Sequence, residues 1–150
     1  MDENLYLRPA LYEDEDLLLR WANNSDVRRN SFHSETITPE EHRKWFSNMM
    51  QSPKEIQYIL MRGDTPVGQI RLSCSEERAE IDYSIDRNFR GNGYGKRILE
   101  LVKQEVIRSF PEIKVLVGKV KQGNTLSENC FADGNYEKVY SCFEFRISRG

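Results

Sequence analysis

The sequence predicts an α/β (α+β) domain in which a mixed, mostly antiparallel sheet is flanked by helices. Two helical patterns come first, three strand patterns joined by short turns follow, and after a glycine-rich turn helix and strand alternate. Hairpin strands followed by strand–helix units give a sheet that is antiparallel in its first half. The chain has 150 residues, 38% of them hydrophobic, with no repeat, low-complexity run or long linker, so one domain over residues 1–150 is expected.

The first strand is expected at Leu5 to Arg8, and a helix from Glu13 to Asn23 with Leu17, Leu18 and Trp21 on one face. A second helix opens at Thr38-Pro39-Glu40-Glu41, where Thr38 caps, Pro39 suits the first turn and Glu41 stands at the capping-box position. Strands follow at Gln57 to Arg62, Pro66 to Cys74 and Ala79 to Ile85, separated by Gly63-Asp64 and Glu76-Glu77-Arg78. Ile98, Leu99, Val102 and Val106 recur at helical spacing before Phe110-Pro111. Val115 to Val120 reads as a strand, Asn124 to Ala132 as a short helix, and Tyr136 to Ile147 as two closing strands. The expected order is β-α-α-β-β-β-α-β-α-β-β.

A net charge of −2 supplies no global field for nucleic acid. The start, Met1-Asp2-Glu3-Asn4, is acidic and leads straight into a strand, and no apolar run reaches membrane-spanning length, so a cytoplasmic protein without membrane partner is expected. Cys74, Cys130 and Cys142 are odd in number and lack CxxC spacing, and His33 and His42 are the only histidines. Neither a disulfide framework nor a metal site is expected, and the cysteines read as packing residues.

Arg90-Gly91-Asn92-Gly93-Tyr94-Gly95-Lys96 lies between a predicted strand and a predicted helix. Glycines let the backbone approach a ligand, and a helix N-terminus favours phosphate oxygens. A dinucleotide fingerprint from Gly91 fails at Lys96, and a Walker A motif ending at Gly95-Lys96 fails at Arg97. The turn resembles instead the R/Q-x-x-G-x-G/A signature of the Gcn5-related N-acetyltransferase (GNAT) superfamily, with Arg90, Gly93 and Gly95 matching. The strand Ala79-Glu80-Ile81-Asp82-Tyr83-Ser84-Ile85 and the helix start Asn124-Thr125-Leu126-Ser127 resemble the family elements on either side.

That resemblance implies a GNAT-like fold and acetyl-CoA (coenzyme A) as cosubstrate, with no metal. It implies pyrophosphate binding by Arg90, Gly91, Asn92, Gly93, Tyr94, Gly95 and Lys96. Pantetheine would run along Tyr83, Ser84 and Ile85, with further contacts at Asn124 and Ser127. An amine attacks only when neutral, so a proton acceptor is required. Alternation puts Glu80, Asp82 and Ser84 on one strand face. Glu80 stands where several relatives carry a base and is the first candidate, Asp82 the second. Many relatives have a tyrosine acid seven residues after the asparagine, where this chain has Phe131, so Tyr83, Tyr94 and Tyr136 are the alternatives.

Trp21 to Phe46 resembles amino-sugar nucleotide N-acetyltransferases of the pseudaminic-acid pathway, with Glu41-His42 and Trp45-Phe46 in the matching pattern. Arg28 and Arg29 could meet a diphosphate, Trp21 or Trp45 could stack, and His33 or His42 could bind hydroxyls. The acceptor implied is a small-molecule amine, in the finer reading the 4-amino group of a UDP-linked sugar. Acetylation of a protein N-terminus and a non-catalytic acyl-CoA-binding module stay open as alternatives, as do monomer and homodimer.

Overall fold

The computed structural model describes residues 4–144 and 146–148. The acidic start at residues 1–3 and position 145 of the last expected strand lie outside the described residues.

The chain runs through β1 (Leu5–Pro9), a short 3-10 turn at Tyr12–Asp14, α1 (Glu15–Ala22), α2 (Ser25–Arg29) and α3 (Pro39–Gln51). The strands β2 (Glu55–Arg62), β3 (Thr65–Ser75) and β4 (Arg78–Ile85) follow, then a second 3-10 turn at Arg87–Phe89. Last come α4 (Tyr94–Ser109), β5 (Val115–Gly118) and α5 (Thr125–Asp133). The sheet order is β1-β2-β3-β4-β5, antiparallel throughout except for the parallel β4–β5 pair. A parallel pair needs a crossover, and α4 supplies it.

Alternation sends the two faces of the sheet to different helical layers. Tyr58, Leu60, Ile70, Leu72 and Ile81 pack with Ile98, Leu99 and Val102 of α4. Ile59 and Met61 pack with Leu18 and Trp21 of α1 and with Phe46 and Met49 of α3. Thr38 caps α3 by accepting from Glu41 N, and Pro39 sits in the first turn. The Arg8–Asp14 pair at 2.8 Å ties β1 to the entry of α1, and Arg8 holds the Asp14 carboxyl below its usual range.

The end of the chain corrects the sequence reading. No strand forms among the described residues of 136–148, where two were expected. Tyr136 is anchored against Phe131, but beyond it Val139, Tyr140 and Phe143 are exposed, Phe143 at 94%. An alternating apolar pattern reports strand propensity, but a strand also needs a paired ladder, and the described residues of this segment pair with neither edge strand of the sheet, β1 or β5. The helix α2 is the opposite case, too short for periodicity to reveal. No helix among the described residues is long and apolar enough to cross a membrane.

Candidate active site

The sheet parts where β5 runs out. The parallel ladder extends from Arg78–Val115 to Ile81–Gly118, and β4 then continues without β5 through Asp82 to Ile85. A Cβ on Gly118 would lie 2.2 Å from Cζ of Phe131, so the α5 ring packs directly on the last paired residue and requires glycine there. From this rung a cleft of about 1280 Å³ extends to the N-terminus of α4 on one side and to α2 and α3 on the other.

The glycine-rich turn forms one end of the cleft. Gly91 and Gly93 have φ of 84° and 79°, in the left-handed region, and a Cβ on either would meet nothing within 4 Å. The demand there is conformational, and open space lies beside the backbone. Side chains of Asn24, Thr38 and Asn124 cap α2, α3 and α5, whereas no side chain caps α4. The first-turn amides of α4 therefore combine missing intrahelical partners, the positive end of the helix dipole and open space, which is what a phosphate group needs. A diphosphate fits this turn.

The side chains around it are largely engaged with protein. Arg90 donates through Nε to Ile85 O at 3.0 Å and through Nη1 to Asp26 at 2.8 Å. Asn92 donates to Phe89 O at 2.9 Å. Lys96 pairs with Asp133 at 2.7 Å, which holds its ammonium above the ordinary value. Tyr94 is buried beneath the turn and accepts from Arg62 at 3.1 Å. Asn124 accepts from Ser127 N at 3.2 Å as the α5 cap.

Tyr83 and Ser127 meet across the cleft wall, hydroxyl to hydroxyl, at 2.9 Å. Burial pushes the Tyr83 hydroxyl well above its ordinary value, with the Ser127 bond acting against it, so it stays protonated at neutral pH. Its ring stands edge-on to Phe131 at 5.9 Å. Of the other two tyrosines, Tyr94 is fixed to Arg62, and Tyr136 has no partner for its hydroxyl among the described residues.

The opposite face of β4 carries the carboxylates. Glu80 is bound by Lys119 at 2.7 Å, one residue past the end of β5. Asp82 occupies the first rung beyond the parting, where Gln69 donates to it at 3.2 Å and Arg71 stands 3.8 Å away. Arg71 also lies over the Trp45 ring at 4.9 Å. Ser84 accepts from Gln69 at 3.2 Å.

The residues expected from the sequence to read the acceptor divide by occupation. The Arg28 guanidinium donates to the carbonyls of Ala22, His33 and Glu35 and to Ser31 Oγ, stapling the loop after α2. Arg29 lies against Asp26. Trp21 is buried, its indole donating to Asp86 at 2.7 Å. His42 is buried against Phe46 and meets Glu15 at 3.0 Å, joining α1 to α3. His33 and Trp45 border the cleft, and Trp45 keeps part of its ring exposed.

Residues 4–133 match the acetyltransferase (GNAT) domain family. The chain belongs to that family. It is accordingly a GNAT N-acetyltransferase. It is 24% identical over 115 residues to the uncharacterized N-acetyltransferase YfmK of Bacillus subtilis, covering 77% of this chain and 73% of that one. Its fold is similar to that of a domain from Methanocaldococcus jannaschii, with a TM-score of 0.82, 21% identity and 95% and 94% of the two chains covered. It is likewise similar to the spermidine N-acetyltransferase of Vibrio cholerae, solved with CoA and spermine, with a TM-score of 0.83, 15% identity and 97% and 88% coverage.

In this GNAT acetyltransferase, sequence reasoning missed Gln57, Gln69, Arg71, Lys119 and Asp26 around the cleft. The glutamines had a readable signal, since each interrupts an otherwise inward-facing strand position with a buried polar group. The others acquire meaning only from partners distant in sequence.

Proposed function

We propose that this enzyme transfers acetyl from acetyl-CoA to a small primary amine that enters over the α1–α3 face of the sheet. One observation carries the reading: a single cleft joins the uncapped α4 N-terminus to the rung where β4 and β5 part, with Asp82 beside that rung. The backbone of Gly91 to Lys96 would hold the pyrophosphate, and the edge of Asp82 to Ile85 left open by β5 would receive the pantetheine arm. Bound there, acetyl-CoA supplies an acetyl group activated as a thioester.

This chain's residues then have separable tasks. Asp82 takes the proton of the entering amine, ahead of Glu80, whose carboxylate is already occupied by Lys119. Tyr83, protonated and bound to Ser127, supplies the proton for the departing sulfur, the task that Phe131 lacks a hydroxyl to perform. For the acceptor, the finer proposal of a UDP-linked amino sugar is supported by the exposed aromatic surfaces of Trp45 and Phe32. It loses the support expected of Arg28, whose guanidinium is engaged within the protein, whereas Arg29 pairs with Asp26 but keeps 69% of its side chain exposed at the cleft. Asp82 gives a cationic amine a carboxylate on this strand face, while that of Glu80 is paired with Lys119.

The test is release of CoA thiol with saturating acetyl-CoA and an acceptor panel: spermine, a UDP-linked 4-amino sugar, the free amino sugar and a peptide with a free N-terminus. Asp82→Asn should lower kcat about 10²-fold or more, and Glu80→Gln less than about 10-fold. Preference for the UDP-linked sugar over the free one upholds the nucleotide-sugar proposal; equal rates remove it. A winning peptide overturns the small-amine reading.

A further inference from the structure

Gln57 and Gln69 are buried side by side in the sheet face that otherwise packs Ile59 and Met61 beneath α1 and α3, with 7% and 8% exposure. Two carboxamides there are costly unless every donor and acceptor has a use. Their orientation follows from chemistry. Gln57 Nε2 contacts the carbonyls of Tyr58 at 3.1 Å and Ile70 at 3.2 Å, which only accept, so that end of Gln57 is the amide nitrogen. The same Nε2 donates to Gln69 Oε1 at 2.9 Å, which turns Gln69 Nε2 toward β4. Its two protons go to Asp82 Oδ2 and Ser84 Oγ, both at 3.2 Å.

We propose that Gln69 is a positioning residue that fixes the Asp82 carboxylate at the parting of β4 and β5, and that Gln57 fixes the orientation of Gln69. The inference rests on the acetyltransferase reading with Asp82 as base. The Asp82 side chain is 59% exposed, so little packing confines it. Its bond from the buried Gln69 amide supplies a direction that neighbouring Arg71, at 3.8 Å, does not. The relay crosses three strands, β2 to β3 to β4, and ends on the first residue that β5 no longer pairs. Such a fixed first contact is what a proton acceptor needs to meet an amine at short range.

A double-mutant cycle with spermine as acceptor separates positioning from general damage. Gln69→Leu removes the donor, and the isosteric Gln69→Glu turns it into an acceptor facing a carboxylate. Each should lower kcat about 10-fold, with the KM for acetyl-CoA changed by less than about twofold. In an Asp82→Ala background, Gln69→Leu should cost nothing further. Equal losses in both backgrounds overturn the proposal, as does full activity of Gln69→Glu. If Asp82→Ala is as active as the wild type, the base assignment has failed instead. A second arm needs no acceptor: the side-chain amide protons of Gln69 should shift in the NMR spectrum of Asp82→Ala, and in Gln57→Leu should lose the signature of a fixed orientation. A Gln69 amide indifferent to Asp82→Ala overturns the relay whatever the activity.

Discussion

Arg90 of the glycine-rich turn and Asp26 of α2 meet at 2.8 Å, joining the α4 end of the cleft to its α2 end. Asp26 also accepts from Arg29, and these two arginines, Arg29 foremost, hold its carboxyl below the ordinary range. A depressed carboxyl keeps its charge above its unfolded value and loses it only as pH falls through the folded one, so the pair persists across neutral pH.

The Arg90–Asp26 pair sets a contrast between side chain and backbone in cofactor binding. Because the Arg90 charge is already compensated, Arg90→Ala should weaken acetyl-CoA binding only about 10-fold or less. Gly93→Asp puts a side chain and a negative charge at a left-handed position facing the phosphate site, and should weaken it about 100-fold or more. Calorimetry on both folded variants decides; equal losses would transfer the main role from backbone amides to Arg90.

Tyr83→Phe removes the hydroxyl shared with Ser127 and should lower kcat about 10-fold while leaving the KM for acetyl-CoA nearly unchanged. Phe131→Tyr should not raise turnover, because the Phe131 ring already fills the space over Gly118. Steady-state kinetics on the two variants checks both statements. An active Tyr83→Phe would remove Tyr83 as the acid, and a gain in Phe131→Tyr would show that a hydroxyl at position 131 reaches the departing sulfur.

Gly118→Ala tests the parting of the sheet. The new methyl must displace the Phe131 ring, at a cost of about 1–3 kcal/mol, read from the denaturation midpoint. Acetyl-CoA affinity should fall with it, since the ring and the cleft wall move together. Wild-type stability and affinity would show that the contact yields freely.

Alkaline pH supplies a prediction of opposite sign to the usual carboxylate case. Burial first, with Glu105 adding at Tyr58 and Glu100 at Tyr136, pushes both hydroxyls up to about 12. The fold favours the neutral phenols, so this stability is intact below the ordinary value of about 10 and is lost as pH rises through about 12. Phenolate absorbance against pH should show a late component from these two tyrosines, with Tm falling over the same interval. A phenolate rise already complete near about 10 would contradict it.

What was legible in the sequence was whatever has a local signature. Thr38-Pro39 marked the start of α3, the period of Ile98, Leu99, Val102 and Val106 marked α4, and Gly91 and Gly93 marked the turn that the backbone confirms. Relations between distant residues were not legible. Nothing local says that Lys119 occupies Glu80, or that Arg28 spends its donors on the loop behind it. The same limit misled at residues 136–147, where alternation was present but the described residues form no ladder with the edge of the sheet.

Amide hydrogen exchange with and without acetyl-CoA tests the central claim most directly, because it reads the cleft backbone without any acceptor. Protection should appear in two stretches remote in sequence, Asp82 to Ile85 along the open edge of β4 and Gly91 to Lys96 at the start of α4. Exchange unchanged in both stretches while acetyl-CoA is bound, or protection confined to other elements such as α3 and β2, would contradict the account.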